Sequence, residues 1–385
     1  MKVAFISNYF NHHQRALSDA LYDAVQDDFT FVETTPMRQE RRQLGYGREE
    51  KPAYVYTEYE TGDTKKTRAW MTDADVVIFG SAQECYLRQR KRRGQLIFRY
   101  SERPLKQGAE PLKYLPRYVR WHCKNPASRP VYLLAASAFA AGDYAEFGLF
   151  RDRAYRWGYF PETRIYAEPD ALVRQKDPTE ILWTGRFLDL KHPDDVLSAA
   201  WRLRQDGCSF HLNMIGAGPM EAQLRQMIDA YALQDSVQLL GTMPPEQVRA
   251  HMERAGIFLF TSDRREGWGA VVNEAMNSGC AVVASDAAGS VPYLIGHGQN
   301  GLIYPSGDVE TLYASIKRLL EEPERQRWLG DAAYHTIADL WNAEVAAKRL
   351  LQLSQAIMNG DAFPDLFERG PCSRAEILHE DWFVT

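Results

Sequence analysis

From Val3 onward, short apolar runs rich in β-branched and aromatic residues alternate with amphipathic stretches. Val3–Ser7, Thr30–Glu33, Val76–Gly80, Leu96–Tyr100 and Val131–Ala135 predict strands in the first half. Between the first two, Leu17, Leu21 and Val25 recur at helical spacing and predict a helix over Gln14–Val25. In the second half the alternation is cleaner. Strands are predicted at Ile181–Thr184, Phe210–Ile215, Val237–Leu240, Ile257–Thr261 and Ala281–Ser285. Helices are expected over Pro193–Gln205, Met220–Tyr231, Pro245–Ala255 and Ala270–Asn277. Near-continuous apolar strands separated by helices imply parallel sheets covered on both faces. The fold class is therefore α/β, with two Rossmann-like doubly wound domains. Each would bind ligands at the carboxyl ends of its strands, and so in a cleft between the two.

The predicted boundaries follow the pattern. Residues 1–160 form the first domain and 181–341 the second. The intervening 161–180, polar and carrying Pro161, Pro169 and Pro178, reads as a linker. Residues 342–385 supply a last helix, Ala343–Met358, and a tail with Trp382 and Phe383.

Composition narrows the class. Met1–Ser7 is too short an apolar run for a signal peptide, and no stretch approaches the roughly 20 apolar residues of a membrane span. The five cysteines have neither CxxC nor metal-ligand spacing, so a reduced, cytoplasmic protein without a structural metal is expected. The net charge of −5 hides a division: residues 1–160 hold 26 Lys and Arg against 19 Asp and Glu, the remainder 20 against 32. Much of the basic excess lies in Arg88–Arg93 and Arg117–Lys124. These are either solvated faces or a surface drawn to anionic lipid at the inner face of the plasma membrane, or to a phosphorylated acceptor. No nucleic-acid motif accompanies them.

Three loops that follow predicted strands carry matched chemistry. In Thr184–Lys191, Gly185 precedes Arg186, and Arg186 and Lys191 bracket a turn into a helix opening at Pro193. A guanidinium fork, a point cation and nearby backbone amides suit a diphosphate; two solvated surface cations are the alternative. In Ile215–Pro219, Gly216 and Gly218 permit tight turning and close approach to a ligand, or simply mark a turn. A dinucleotide fingerprint would require a third glycine where Glu221 stands, which argues against NAD. In Glu266–Glu274, Gly267, Trp268, Gly269 and Ala270 lead into a helix whose first amides would favour phosphate oxygens. Glu266 and Glu274 lie more than a helical turn apart and can address two ends of one elongated ligand by accepting hydroxyl hydrogen bonds. The alternative is a glycine-loosened helix start with two solvent-facing acids.

The ordered set of Gly185-Arg186-Phe187 with Lys191, Gly216-Ala217-Gly218-Pro219, Leu240-Gly241-Thr242-Met243-Pro244 and Glu266 to Glu274 resembles the retaining glycosyltransferases of family 4, which have the GT-B fold. The resemblance covers about residues 180–350. It implies that Arg186 and Lys191 bind the donor diphosphate, that Glu266 contacts the transferred sugar and that Glu274 holds the ribose hydroxyls. Thr242 and Met243 would lie by the nucleobase, and the last helix would cross back onto the first domain. The implied activity is hexosyl transfer from a UDP- or GDP-type sugar donor to a carbohydrate or lipid-linked acceptor hydroxyl, with retention, in polysaccharide or glycolipid biosynthesis. Arg186, Lys191 and helix amides would stabilise charge on the leaving diphosphate, so no metal or other cofactor is expected.

The first half departs from that family's pattern. Instead of a glycine-rich loop after the first strand it has Asn8-Tyr9-Phe10-Asn11-His12-His13-Gln14. Asn8, His12 and His13 are the acceptor-side candidates, as hydrogen-bonding groups or a proton relay, or else polar residues at a helix entry. Competing readings are a GT-B epimerase or phosphorylase and a non-catalytic sugar-nucleotide sensor or subunit. The full set Arg186, Lys191, Glu266 and Glu274 favours transfer.

Overall fold

The computed structural model describes residues 1–37, 50–108 and 111–383. The chain divides into two compact units: Met1–Glu162 with Asn342–His379, and Thr163–Trp341 with Glu380–Thr385.

The first unit is built on a parallel seven-stranded sheet: β1 (Val3–Ser7), β2 (Phe29–Glu33), β3 (Val55–Thr57), β4 (Val76–Phe79), β5 (Ile97–Ser101), β6 (Val131–Ala135) and β7 (Ala154–Arg156). Their spatial order is β3-β2-β1-β4-β5-β6-β7. The strands β1, β2, β4 and β6 are buried at every position, because helices cover both faces of the sheet. At the centre Ile6 pairs with Val32 on one side and Phe79 on the other. Helix α1 (His12–Val25) starts two residues earlier than its apolar period suggests. Asn11 caps it, its side chain accepting from the His13 amide while Gln14 reaches back to the Asn11 amide. Both histidines expected in a loop therefore lie in the first helical turn. Helices α2 (Thr64–Asp73), α3 (Arg88–Arg93) and α4 (Tyr114–Lys124) follow.

The basic run of α3 is in part internal scaffolding. Arg90 is fully buried and donates to the carbonyls of Leu96, Met71, Ala74 and Asp75. Lys91 pairs with Glu84 at 3.1 Å. Peptide dipoles and one acid thus account for both of these cations.

The second unit carries a parallel six-stranded sheet: β8 (Asp177–Thr184), β9 (His211–Ile215), β10 (Val237–Gly241), β11 (Ala255–Phe260), β12 (Ala281–Ser285) and β13 (Leu302–Tyr304). The order is β10-β9-β8-β11-β12-β13. Its helices are α5 (Pro193–Gln205), α6 (Glu221–Ala230), α7 (Pro245–Arg254), α8 (Val271–Asn277), α9 (Val309–Glu321) and α10 (Pro323–Asp339). Trp183, Phe187, Leu212, Met214, Leu259 and Val283 form the heart of one core layer. The stretch expected to be a linker is irregular as far as Glu168 and then regular. Pro169–Arg174 is a short helix and β8 begins at Asp177. Its polar residues are consumed internally: buried Lys176 donates to the carbonyls of Met252 and Ala255, and the Arg164 amide donates to Asn277.

Helix α11 (Ala343–Met358) belongs to the first unit, where it packs on α1. After it the chain returns to the second unit. There the Trp382 indole donates to the Asp286 carbonyl at 3.0 Å and Glu380 pairs with Arg264. The five cysteines are free, and among the described residues no helix is long and apolar enough to cross a membrane.

Candidate functional site

In a doubly wound sheet the strand order reverses once, and loops leaving the two strands on either side of that point part from each other. The gap between them is where such sheets bind ligands. In the second unit the reversal falls between β8 and β11, and the structure brings the key candidates together there. Lys191 follows β8 and Glu266 follows β11; their ammonium and carboxylate form an ion pair. The two loops are also joined through the backbone. The Asp263 amide donates to the Leu190 carbonyl at 3.0 Å, and the Thr261 hydroxyl donates to the Lys191 carbonyl while accepting from the Trp183 indole. Lys191 is thereby held at both backbone and side chain, with two of its three ammonium protons left for a ligand.

Around this pair lie further charges. Arg186 is exposed and, among the described residues, makes no ion pair or side-chain hydrogen bond. His192 takes a left-handed conformation (φ 45°) that turns the chain into α5, and its ring meets Asp263 at 3.2 Å. Burial alone would raise the Asp263 carboxyl, yet hydrogen bonds from Arg265 and His192 hold it below the usual carboxylate range. His192, Asp194 and Asp195 place potential ligand atoms within 4.8 Å of one another. The imidazole there is already shared between Asp263 and Asp195.

The neighbouring loops after β8, β9 and β10 are laced together. The Gly185 amide donates to Ile215, Phe187 to Ala217 and Gly216 to Gly241. The expectation that glycine admits a ligand at these loops needs correction. A Cβ on Gly216 would stand 1.8 Å from the Gly185 carbonyl oxygen, and one on Gly218 would stand 2.4 Å from that of Phe187. These glycines let one loop press on the next, so their ordering of Arg186 is indirect. Thr242, exposed, and Met243, half-buried, follow β10 beside them. Glu221 opens α6 and pairs with Arg225.

The Glu266–Glu274 segment also differs in detail. Helix α8 starts at Val271. Gly269 has φ +89°, and a Cβ there would meet the Phe260 ring at 2.3 Å, so its role is again packing. The Trp268 indole is buried beside Tyr293 and Trp341 and donates to Asn273; it is a core residue, and only its backbone remains for a ligand. Among the described residues the amides of Gly267, Trp268, Gly269 and Ala270 donate to no protein acceptor. Glu274 is part-buried; desolvation raises its pKa, with Arg249 and Arg164 pulling it down by less.

The first unit has its own reversal point, between β1 and β4, and a cavity of about 380 Å³ opens there. Asn8 and His13 line it, as do Tyr9, Ser81, Glu102 and Tyr159; His12, exposed, does not. The Tyr159 hydroxyl donates to Glu102 at 2.8 Å, Lys106 pairs with the other carboxylate oxygen, and the His13 ring lies 5.4 Å from that of Tyr159. Aromatic faces beside hydroxyl, amide and carboxylate groups suit a polyhydroxylated ring, which presents apolar C–H faces and polar edges. Glu102 and Tyr159 were not among the sequence candidates. Glu102 could have been found as the polar residue just past the strand that ends at Ser101.

Two Rossmann-like sheets, each with polar chemistry at its reversal point, define a GT-B fold. Residues 166–336 match the model of the family Glycosyl transferases group 1. The amylovoran biosynthesis glycosyltransferase AmsK of Erwinia amylovora is 31% identical over 207 residues, covering 52% of this chain and 50% of that protein. An exopolysaccharide phosphotransferase of Streptomyces coelicolor is 31% identical over 196 residues, covering 49% of this chain but 20% of that protein. The chain therefore spans half or less of the length of these relatives. Among solved structures, HepE of Anabaena in complex with UDP superposes with a TM-score of 0.66 at 14% identity, covering 92% of this chain and 100% of that one.

Proposed function

We propose that the protein transfers a sugar from a UDP- or GDP-type donor to a hydroxyl of a carbohydrate or lipid-linked acceptor, with retention, in polysaccharide or glycolipid assembly. The observation that carries this is the Lys191–Glu266 pair at the reversal point of the second sheet, beside the exposed Arg186. Lys191, Arg186 and the amides of Gly267 to Ala270 take the diphosphate, Glu266 the sugar hydroxyls and Glu274 the ribose. Thr242 and Met243 flank the base. The bond from the anomeric carbon to the diphosphate oxygen breaks, and the acceptor oxygen bonds to the same face of that carbon. The acceptor proton passes to the departing phosphate. Fixed cations and amides lower the barrier by meeting the charge that grows on the leaving group, so metal is not required. The first-unit cavity, with Asn8 and His13, takes the acceptor. The AmsK relative and the family match over residues 166–336 support the reading in kind.

The test is donor hydrolysis and transfer in EDTA with UDP- and GDP-sugars, the product's anomeric configuration being read by NMR. Wild type should turn over one donor class with retention, and Glu266→Ala and Lys191→Ala should be strongly impaired. Undiminished turnover in both variants would overturn the roles of these two residues, and an inverted product would overturn the mechanism.

A further inference from the structure

Four consecutive residues after β8 each find a partner in the loop after β11. Arg265 donates to the Asp189 carboxylate at 2.7 Å, the Asp263 amide donates to the Leu190 carbonyl at 3.0 Å, and Lys191 pairs with Glu266. The fourth contact runs from His192 Nε2 to Asp263 Oδ2 at 3.2 Å. A carboxylate only accepts, so Nε2 carries the proton. Asp263 enters two of these four contacts and also organises its own loop. Its carboxylate accepts from the Arg265 amide at 2.8 Å and from the Arg265 guanidinium, and its carbonyl accepts from the Glu266 amide at 3.0 Å. Lys191 is the chain neighbour of His192, and the Glu266 backbone hangs on Asp263. The His192–Asp263 bond thus connects the supports of both members of the ion pair.

His192 reaches this partner at a conformational cost. Its φ of 45° and ψ of 53° are left-handed, a backbone that glycine takes freely and L side chains disfavour. Such a residue persists where its surroundings over-determine it. The turn itself does not call for an imidazole. The bond from the His192 amide to the Asp189 carbonyl uses the backbone alone, and a glycine would make it. What the ring adds is the bond to Asp263. Its other nitrogen, Nδ1, lies 3.9 Å from Asp195, beyond hydrogen-bond length.

We infer that His192 and Asp263 are positioning residues, a clasp across the two loops that aligns Lys191 and Glu266 with each other for transfer. The inference rests on the function proposed above and adds to it two residues that act through their chain neighbours. A displacement of about 1 Å at reacting groups is enough to lower a rate by roughly 100-fold, so loosening the clasp is read in turnover.

The experiment measures kcat, donor KM and thermal midpoint for His192→Gly, His192→Gln and Asp263→Ala, with Lys191→Ala and Glu266→Ala as controls. Glycine suits the left-handed backbone, so the midpoint of His192→Gly should stay close to that of wild type. Its kcat should fall about tenfold while donor KM changes by less than about threefold. His192→Gln keeps an N–H donor on a side chain of similar reach and should recover most of the loss. Asp263→Ala should lower kcat at least as far, and adding His192→Gly to it should cost little more, because one contact has already gone. Wild-type kcat in His192→Gly would overturn the clasp, whether or not its midpoint drops, since the ring would then be a structural pin at most. Losses that simply multiply in the double variant would overturn it as well. Full turnover in Lys191→Ala and Glu266→Ala would remove the functional reading and the clasp with it. Impairment of those two beside a normal His192→Gly would remove the clasp alone.

Discussion

Lys191 and Glu266, 75 residues apart in the chain, meet as an ion pair beyond the carboxyl ends of two adjacent strands, β8 and β11. The pair keeps each group in place, and in the function proposed above Lys191 serves the phosphate and Glu266 the sugar. Lys191→Ala should weaken nucleoside-diphosphate affinity about 10- to 100-fold, the range for a charge-assisted hydrogen bond. Glu266→Ala should leave that affinity within about threefold but lower transfer by about 100-fold. Isothermal titration with UDP and GDP, set beside turnover, separates the two effects. Equal losses of nucleotide affinity in both variants would contradict the division.

Glu274 predicts a pH dependence. Desolvation raises its carboxyl above the usual carboxylate range, so protonation begins at higher pH than for an exposed glutamate. A ribose hydroxyl donates to the carboxylate, hence nucleotide affinity should fall as pH drops through the raised value. Glu274→Gln should lose this component, and the wild-type-minus-variant difference removes the titration of the phosphates themselves. Stability follows the opposite sign. A carboxyl with a raised folded pKa favours the folded state most when protonated, and that advantage disappears as pH rises through the folded pKa. Without nucleotide, Glu274→Gln should therefore melt higher than wild type at neutral pH, with the gap closing in acid.

Gly216 tests the lacing of the loops. Its φ of +145° and the 1.8 Å approach of a Cβ to the Gly185 oxygen mean that Gly216→Ala must displace the Arg186 loop. A cost above about 2 kcal/mol is expected, together with weaker diphosphate binding. Thermal melting and titration measure both. A fully stable variant with normal affinity would show that the loop contact is dispensable.

The first-unit cavity should govern the acceptor alone. His13→Ala and Tyr159→Phe are expected to raise the acceptor KM or lower transfer about tenfold, with UDP or GDP affinity unchanged. Tyr159→Phe frees one Glu102 oxygen from its 2.8 Å hydrogen bond, so a conservative change of one atom suffices. Nucleotide titrations that shift in either variant would count against this assignment.

Arg90 and Arg92 are two residues apart in one basic run yet should behave differently. Burial lowers the Arg90 pKa to about 10, and its guanidinium satisfies the carbonyls of Leu96, Ala74 and Asp75. Arg90→Met should cost about 3 kcal/mol or more by orphaning them, whereas exposed Arg92→Met should change stability by less than about 0.5 kcal/mol. Urea unfolding of the two variants decides the matter.

Strands such as β1, β6 and β12 were legible because burial on both faces demands an unbroken apolar run. The three-residue strands β3, β7 and β13 were not, being too short to carry a pattern. Residues 161–180 misled because polar side chains such as Lys176 and Arg164 serve internal carbonyls and acids there, and composition cannot reveal where a side chain points. The loops holding Arg186, Lys191 and Glu266 could be picked out from residue chemistry after predicted strands. That Lys191 pairs with Glu266 depends on which strands are neighbours, a property of topology. Where the Trp268 side chain points was not legible: the indole packs against Trp341, which leaves the backbone of this loop as the part that can meet a ligand.

The first unit is closed by α11, which lies in a segment that rejoins it only at Asn342, and the last described residues rejoin the second unit. For protein engineering this makes the body of the second unit, Thr163–Trp341, an insertion within the first. A fragment ending at Glu162 would lack the helix that packs on α1 and should misfold or aggregate. Exchanging the second unit for a relative's thus calls for three crossovers, at 162/163, 341/342 and 379/380, so that Arg264 and Asp286 keep their partners Glu380 and Trp382.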